Sequence, residues 1–220
     1  MRRHRFVPAL IGLSLTLAAC GASSNATTGP TATSGGASPS PTGSTSAGGS
    51  PAQSPLPPEQ PVPSESSPPG DIPDNTAFVL YRAPGGFVIR VPEGWARTRS
   101  GPDVSFTDKL NTVSAAWAAA PKAPTVGSAT KTEVAQLRTT ERALRLGDVK
   151  MVTLPGGKAV LITFQENSAP NPVTGKQYRL DVERFEFFRG GTEAALTLSS
   201  PVGADNVDPW RIVSESFAWS

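Results

Sequence analysis

From Cys20 to residue 76 the chain is almost entirely Gly, Ala, Ser, Thr and Pro, with Leu56, Val62 and Ile72 as its larger aliphatic residues. A stretch of that kind has too little apolar surface to offset the entropy lost on ordering, so it is expected to be a disordered tether. Whatever folds must be built from residues 77–220. That span of about 145 residues holds all four tryptophans, both tyrosines and every phenylalanine except Phe6. A chain of that length makes one ordinary domain and buries roughly two-thirds of its unfolded surface.

The residues ahead of the tether read as an address. Arg2, Arg3 and Arg5 give a positive start, and Phe6 to Ala18 give an apolar run of about thirteen residues. That run suits a secretory signal and is too short for a bilayer span, which takes about twenty apolar residues. It closes on Leu17-Ala18-Ala19-Cys20, which resembles the lipobox of bacterial lipoproteins. The resemblance implies cleavage after Ala19 and a diacylglyceryl thioether on Cys20. Residues 1–19 are then a signal peptide, and the protein is expected to be extracytoplasmic, lipid-anchored to the outer face of the bacterial cell membrane. Two or more acyl chains, at about 0.8 kcal/mol per buried methylene, hold a protein stably.

Removing the signal changes the charge. Three of the 20 basic residues leave with it, so 17 remain against 18 acidic ones. A mature chain near neutrality is not the concentrated basic surface that a nucleic-acid partner needs, and none is expected. With the lone cysteine acylated, no disulfide can form, and stability must come from packing. The tether turns proline-rich between Pro51 and Pro69, which favours extended segments; the flexible-coil relation gives an end-to-end reach of about 40 Å. Its Ser, Thr and Pro content fits either a bare spacer or an O-glycosylated stalk.

The domain reads as short strands punctuated by turns. Ala77–Arg82, Phe87–Val91, Trp95–Arg99, Val104–Phe106 and Val113–Ala120 form an antiparallel meander. Thr130-Lys131-Thr132-Glu133 has capping-box spacing and predicts one helix over about 130–146, stopped near Gly147. Strands follow at Val149–Leu154, Lys158–Gln165, Tyr178–Phe188 and Ala194–Ser199. In the third of these, Tyr178, Leu180 and Val182 share one face while Phe185 and Phe187 fall in the opposite phase, which predicts a β-bulge near residues 183–185. Asp208-Pro209 reads as the start of a terminal helix with Trp210, Val213 and Phe217 on its inner side.

Phe87-Val88-Ile89-Arg90-Val91-Pro92-Glu93-Gly94-Trp95, then Val104-Ser105-Phe106 and the closing Ser216-Phe217-Ala218-Trp219, resemble the PsbP-like superfamily, nearest to its LpqN-type lipoproteins of actinobacteria. The resemblance spans about residues 77–220. It implies an α+β fold, an antiparallel β-sheet flanked by helices in an α/β/α sandwich. It carries no catalytic motif, and fold alone does not set function.

Chemistry is scarce. His4 leaves with the signal and Cys20 is acylated, which removes the usual general base, transition-metal ligand and thiol nucleophile from the mature chain. Asp181 and Glu183 share a strand face with Arg179, an arrangement expected of a solvated, charge-alternating surface. Asp205 to Asp208 lacks calcium-loop spacing and is expected to cap a helix. The four tryptophans sit where core residues are expected, although one at a rim could stack on a ligand. No catalytic residue, metal or cofactor is expected, and the protein is not expected to be an enzyme. The expected function is a non-catalytic protein-binding or scaffold module with an envelope protein as partner. The alternative is a carrier or sensor of a small apolar or glycolipid ligand, with a hydrolase a distant third.

Overall fold

The computed structural model describes residues 59–220. The signal peptide, the cleavage site at Ala19 and Cys20, and the tether through residue 58 lie outside the described residues.

The core element is a seven-stranded antiparallel sheet. Its strands are β3 (Ala96–Ser100), β4 (Asp103–Asp108), β5 (Asn111–Ala119), β6 (Arg145–Leu154), β7 (Gly157–Asn167), β8 (Arg179–Arg189) and β9 (Thr192–Pro201). They lie in the order β3-β4-β5-β9-β8-β7-β6, so the chain meanders out, crosses through two helices and returns to fill the middle. A three-stranded sheet joins β1 (Phe78–Ala83), β2 (Phe87–Pro92) and β10 (Ala218–Trp219) in the order β1-β2-β10. The helices are α1 (Val126–Lys131), α2 (Glu133–Thr140) and α3 (Val207–Glu215).

Both faces of the large sheet are covered, by different elements. One face presents Val104, Phe106, Val113, Ala115, Leu161, Phe185, Phe187, Leu196 and Leu198. These pack with Phe87, Ile89 and Val91 of β2 and with Trp210, Val213 and Phe217 of the C-terminal segment. Phe217 stacks on Phe187 with 3.8 Å between ring centres and on Phe87 with 5.1 Å. The opposite face presents Val160, Ile162, Phe164, Leu180 and Val182 to Ala129, Val134 and Leu137 of α1 and α2. Helices therefore flank the sheet on both sides, as expected of the fold class, and the small sheet shares the second layer with α3.

This layering removes the reason for a bulge in β8. Leu180 and Val182 point into the helix layer, while Phe185 and Phe187 point into the small sheet, and β8 keeps continuous register with β7 and β9. The phase change marks a change of partner layer. The irregularity lies in β6 instead, where Leu146 pairs with Phe164 and Val149 with Ile162. Gly147 sits in that bulge, and a Cβ there would approach Thr163 Oγ1 to 2.6 Å. Its role is close strand approach and not the helix stop expected of it.

The expected helix over 130–146 is two shorter ones. Capping begins earlier: Thr125 and Ser128 form the reciprocal box of α1, with Ser128 N donating to Thr125 Oγ1 at 3.1 Å. Thr130 Oγ1 instead donates back to Val126 O at 2.8 Å and Thr132 Oγ1 to Ser128 O at 2.6 Å, inside the helical stretch. The chain leaves α2 at Glu141, whose backbone is extended, and Arg145 already belongs to β6.

The boundary expected at residue 77 also shifts. Residues 59–76 form a strap across the domain. Ile72 is buried, its N–H donating to Asn206 Oδ1 at 2.8 Å, while Gly70 O accepts from Asn111 Nδ2 at 2.7 Å and Asn206 Nδ2 at 3.0 Å. Val62 N donates to Asn167 Oδ1 at 3.0 Å, and Glu59 pairs with Arg142 at 2.9 Å. Low apolar content does not prevent docking where the domain supplies buried amides to receive the backbone.

Candidate functional site

A strand edge presents unpaired N–H and C=O groups, and proteins usually blunt such edges with charge, bulges or brevity. Two long edges here follow that practice. β3 is exposed throughout and carries Arg97 and Arg99. β6 is bulged and carries Arg145 with the Asp148–Lys150 pair at 3.0 Å. β10 is only two residues long.

β1 differs. Its exposed centre is Val79-Leu80, which are 43% and 52% exposed, followed by Arg82. The direction of its free backbone groups follows from its neighbours. Glu93 N donates to Ala77 O at 2.8 Å, and Arg90 N turns away from β1 to donate to Ser216 Oγ at 2.7 Å. Val79 and Tyr81 therefore occupy the hydrogen-bonded pairs with Val91 and Ile89. The N–H and C=O groups of Phe78, Leu80 and Arg82 face the open side. No backbone bond from another described segment reaches them. Beneath β1, the Tyr81 ring packs edge-on against Phe106 at 5.1 Å, which fixes the strand on the core. On the outer face Leu80 lies opposite Arg90, and Arg82 opposite Val88. Neither Arg82 nor Arg90 has an ion pair among the described residues.

A second feature is a groove of about 470 Å³ across β6, β7 and β8, lined by Arg145, Gly147, Thr163, Gln165, Asp181 and Glu183 among others. The β6 bulge shapes it, with Asp148 N donating to Thr163 Oγ1 at 2.8 Å. Gln165 Nε2 donates to Asp181 Oδ1 at 2.8 Å. Burial, reinforced by the Asp181 charge, raises the Glu183 carboxyl above its ordinary value. The expected solvated trio is thus only partly so. Asp181 is exposed, but Arg179 is buried, donating from Nη1 to Ala143 O at 2.9 Å and to Asn167 Oδ1 at 3.0 Å.

Other ionisable groups are structural. Burial pushes Glu166 up to about 9, helped by the hydrogen bond and charge of Glu141. Burial also pushes Glu186 up to about 7 against the opposing pull of Arg184. Arg184 bridges layers, reaching Glu133 of α2 at 2.7 Å and Glu186 of its own strand at 3.4 Å. At the expected capping cluster, Asn206 occupies the cap position of α3 without a side-chain cap bond, because its amide is engaged with the strap. Asp208 pairs with Arg211 at 3.0 Å. Trp210 is buried, and Trp95, Trp117 and Trp219 are partly buried against the core. Among the described residues no group of His, Cys, Asp and Glu is placed to hold a metal, and no helix is long and apolar enough to cross a membrane.

The β1 edge escapes a pattern reading because Phe78-Val79-Leu80-Tyr81 looks like a buried strand. Its signal was the lack of alternation in a strand that needs only one covered face.

No protein-family model matches the chain, and no curated protein matches it in sequence. Solved structures do resemble it. Cyanobacterial PsbP (CyanoP) from Synechocystis sp. PCC 6803 is 16% identical with a TM-score of 0.46, covering 70% of this chain and all of that one at 100%. LpqN of Mycobacterium tuberculosis, a protein involved in cell envelope biogenesis, is 14% identical with a TM-score of 0.42, covering 66% of this chain and 91% of its own. A protein of Bacteroides thetaiotaomicron VPI-5482 is 12% identical with a TM-score of 0.43, covering 64% of this chain; the chain spans about half of that protein's length, 48%.

Proposed function

We propose that this protein is a cell-envelope lipoprotein, processed after Ala19 and anchored through Cys20, whose domain is a non-catalytic module that binds another envelope protein. One observation carries the binding role: β1 is a six-residue sheet edge with an exposed apolar centre and no bulge, fixed to the core beneath by Tyr81. Main-chain hydrogen bonds along such an edge supply affinity, and side chains on alternate faces supply selectivity. The test is a photo-crosslinking residue at position 80 in the full chain, expressed in its own envelope, with position 98 on β3 as the control. A discrete crosslinked protein from 80 and none from 98 is expected. Equal or no crosslinking from the two positions overturns the role of β1.

The groove favours a second reading, in which the domain carries a ligand. Arg145, Gln165, Asp181 and Glu183 suit the hydroxyls of a glycolipid headgroup better than an apolar chain. Native mass spectrometry of protein from its own membranes separates the readings. Extra mass that disappears in Asp181→Ala supports the carrier, and a bare mass removes it.

A further inference from the structure

We propose that the open side of β1 receives an extended segment of a partner protein as an added strand, one that places an apolar side chain beside Leu80 and, two residues away on the same face, an acidic side chain beside Arg82. This rests on reading β1 as the protein-binding edge and names what that edge selects.

The backbone sets the geometry. Phe78, Leu80 and Arg82 turn their free N–H and C=O groups toward the newcomer, so an incoming strand finds a ladder of three residues with fixed spacing. Because side chains alternate with a period of two, the incoming residue opposite Leu80 lies on the outer face with it, and a neighbour two positions away lies beside Arg82. Leu80 is 52% exposed, so an apolar side chain there removes water from both.

Charge then chooses among occupants. Arg82 and Arg90 share the outer face and have no ion pair among the described residues. A second copy paired antiparallel about Leu80 would set its Phe78 beside Arg82, and β1 has no acidic side chain to offer that arginine. The chain's own residues 20–58 contain no Asp or Glu, so they do not complement the face. A lipid surface offers the right charge but the wrong solvent, because unpaired strand groups pressed into hydrocarbon lose their water without a partner. A partner strand that sets an acidic residue beside Arg82 satisfies backbone and charge together.

The experiment uses full-length lipoprotein in detergent micelles and two fluorescent ten-residue peptides. Both have Leu at the central position and Thr at intervening positions; one has Glu two residues to either side, the other Gln. The acidic peptide is expected to bind about tenfold more tightly than the neutral one, the equivalent of one well-placed charge pair. Arg82→Glu is expected to abolish or reverse that preference. Leu80→Pro, which removes only an outward N–H, is expected to abolish binding of both; Leu80→Lys serves if the proline variant does not fold. Equal binding of the two peptides overturns the acidic selectivity while leaving β1 as a binding edge. Failure of both peptides overturns the added strand, and if position 80 also gives no crosslink, the reading of β1 falls with it. Binding to phosphatidylglycerol vesicles that Arg82→Glu removes, or a concentration-dependent dimer that Leu80→Lys removes, overturns the proposal in favour of a lipid surface or a second copy.

Discussion

Glu166 shows how a single residue can set the pH response of this domain. It lies at the end of β7 near Glu141, and its carboxyl titrates at about 9 against an ordinary 4.5. Between those values the folded protein holds a proton that the unfolded chain has released, so this group's contribution to stability declines as pH rises from about 4.5 toward about 9. Glu166→Gln keeps the shape, lets an amide N–H donate to Glu141, and removes the linkage. The variant is expected to be more stable than the parent at pH 7, by the order of 2 kcal/mol, and indistinguishable from it near pH 4. Urea midpoints at the two values measure this. A parent whose stability is unchanged by the substitution at pH 7 would mean that Glu166 is ionised in the fold. Nothing in the sequence around Gln165-Glu166-Asn167 announces this, because its causes are burial in the fold and then the approach of Glu141 from a turn twenty-odd positions away. Arg179 was hidden for the same reason: beside Asp181 in sequence it looks solvated, yet the loop at Ala143 covers it.

Elements with strong local patterns were legible, and those that depend on a distant partner were not. Phe87-Val88-Ile89-Arg90-Val91 alternates and is a strand, and Trp210 and Val213 recur at helical spacing and face the core from α3, whereas Phe217, expected on the same helix, packs into the core from beyond its end at Glu215. The opposed phases of Leu180, Val182 and Phe185, Phe187 were visible too, but two packing layers produce them as readily as a bulge does. The strap is the clearest case. Its sequence is that of a linker, and its order comes from Asn111, Asn167 and Asn206, each far along the chain. A chain beginning at residue 77 therefore loses the burial of Ile72 and leaves the amides of Asn111 and Asn206 short of partners. Relative to a chain beginning at residue 59 it is expected to be about 3–5 kcal/mol less stable, read from urea denaturation. Coincident midpoints would show that the strap adds nothing to the fold. Acid should loosen its first residues. The carboxyl of Glu59, although pushed up by burial, is held below its ordinary value by hydrogen bonds from Asn167, Gln177 and Arg142, so its contribution fades as pH falls through that lowered value.

At the scale of the whole molecule, the strap bears on how an anchored domain would present its edge. If Cys20 carries the lipid, the anchor stands 39 positions ahead of Glu59, the first residue of the strap. A protein held at the membrane meets membrane-associated partners at high effective concentration, so even a modest edge interaction would be substantially occupied. Anchor and edge thus make separable contributions, and Cys20→Ala tests the first. The variant is expected to shift from the membrane fraction to the soluble fraction, or to accumulate as precursor, while the domain of residues 59–220 keeps its unfolding midpoint. Crosslinking from position 80 is expected to fall sharply in the released form and to recover when the partner is supplied in excess. Unchanged crosslinking in the released form would show that the edge holds its partner without help from the membrane, and parent protein found wholly in the soluble fraction would remove the anchor itself.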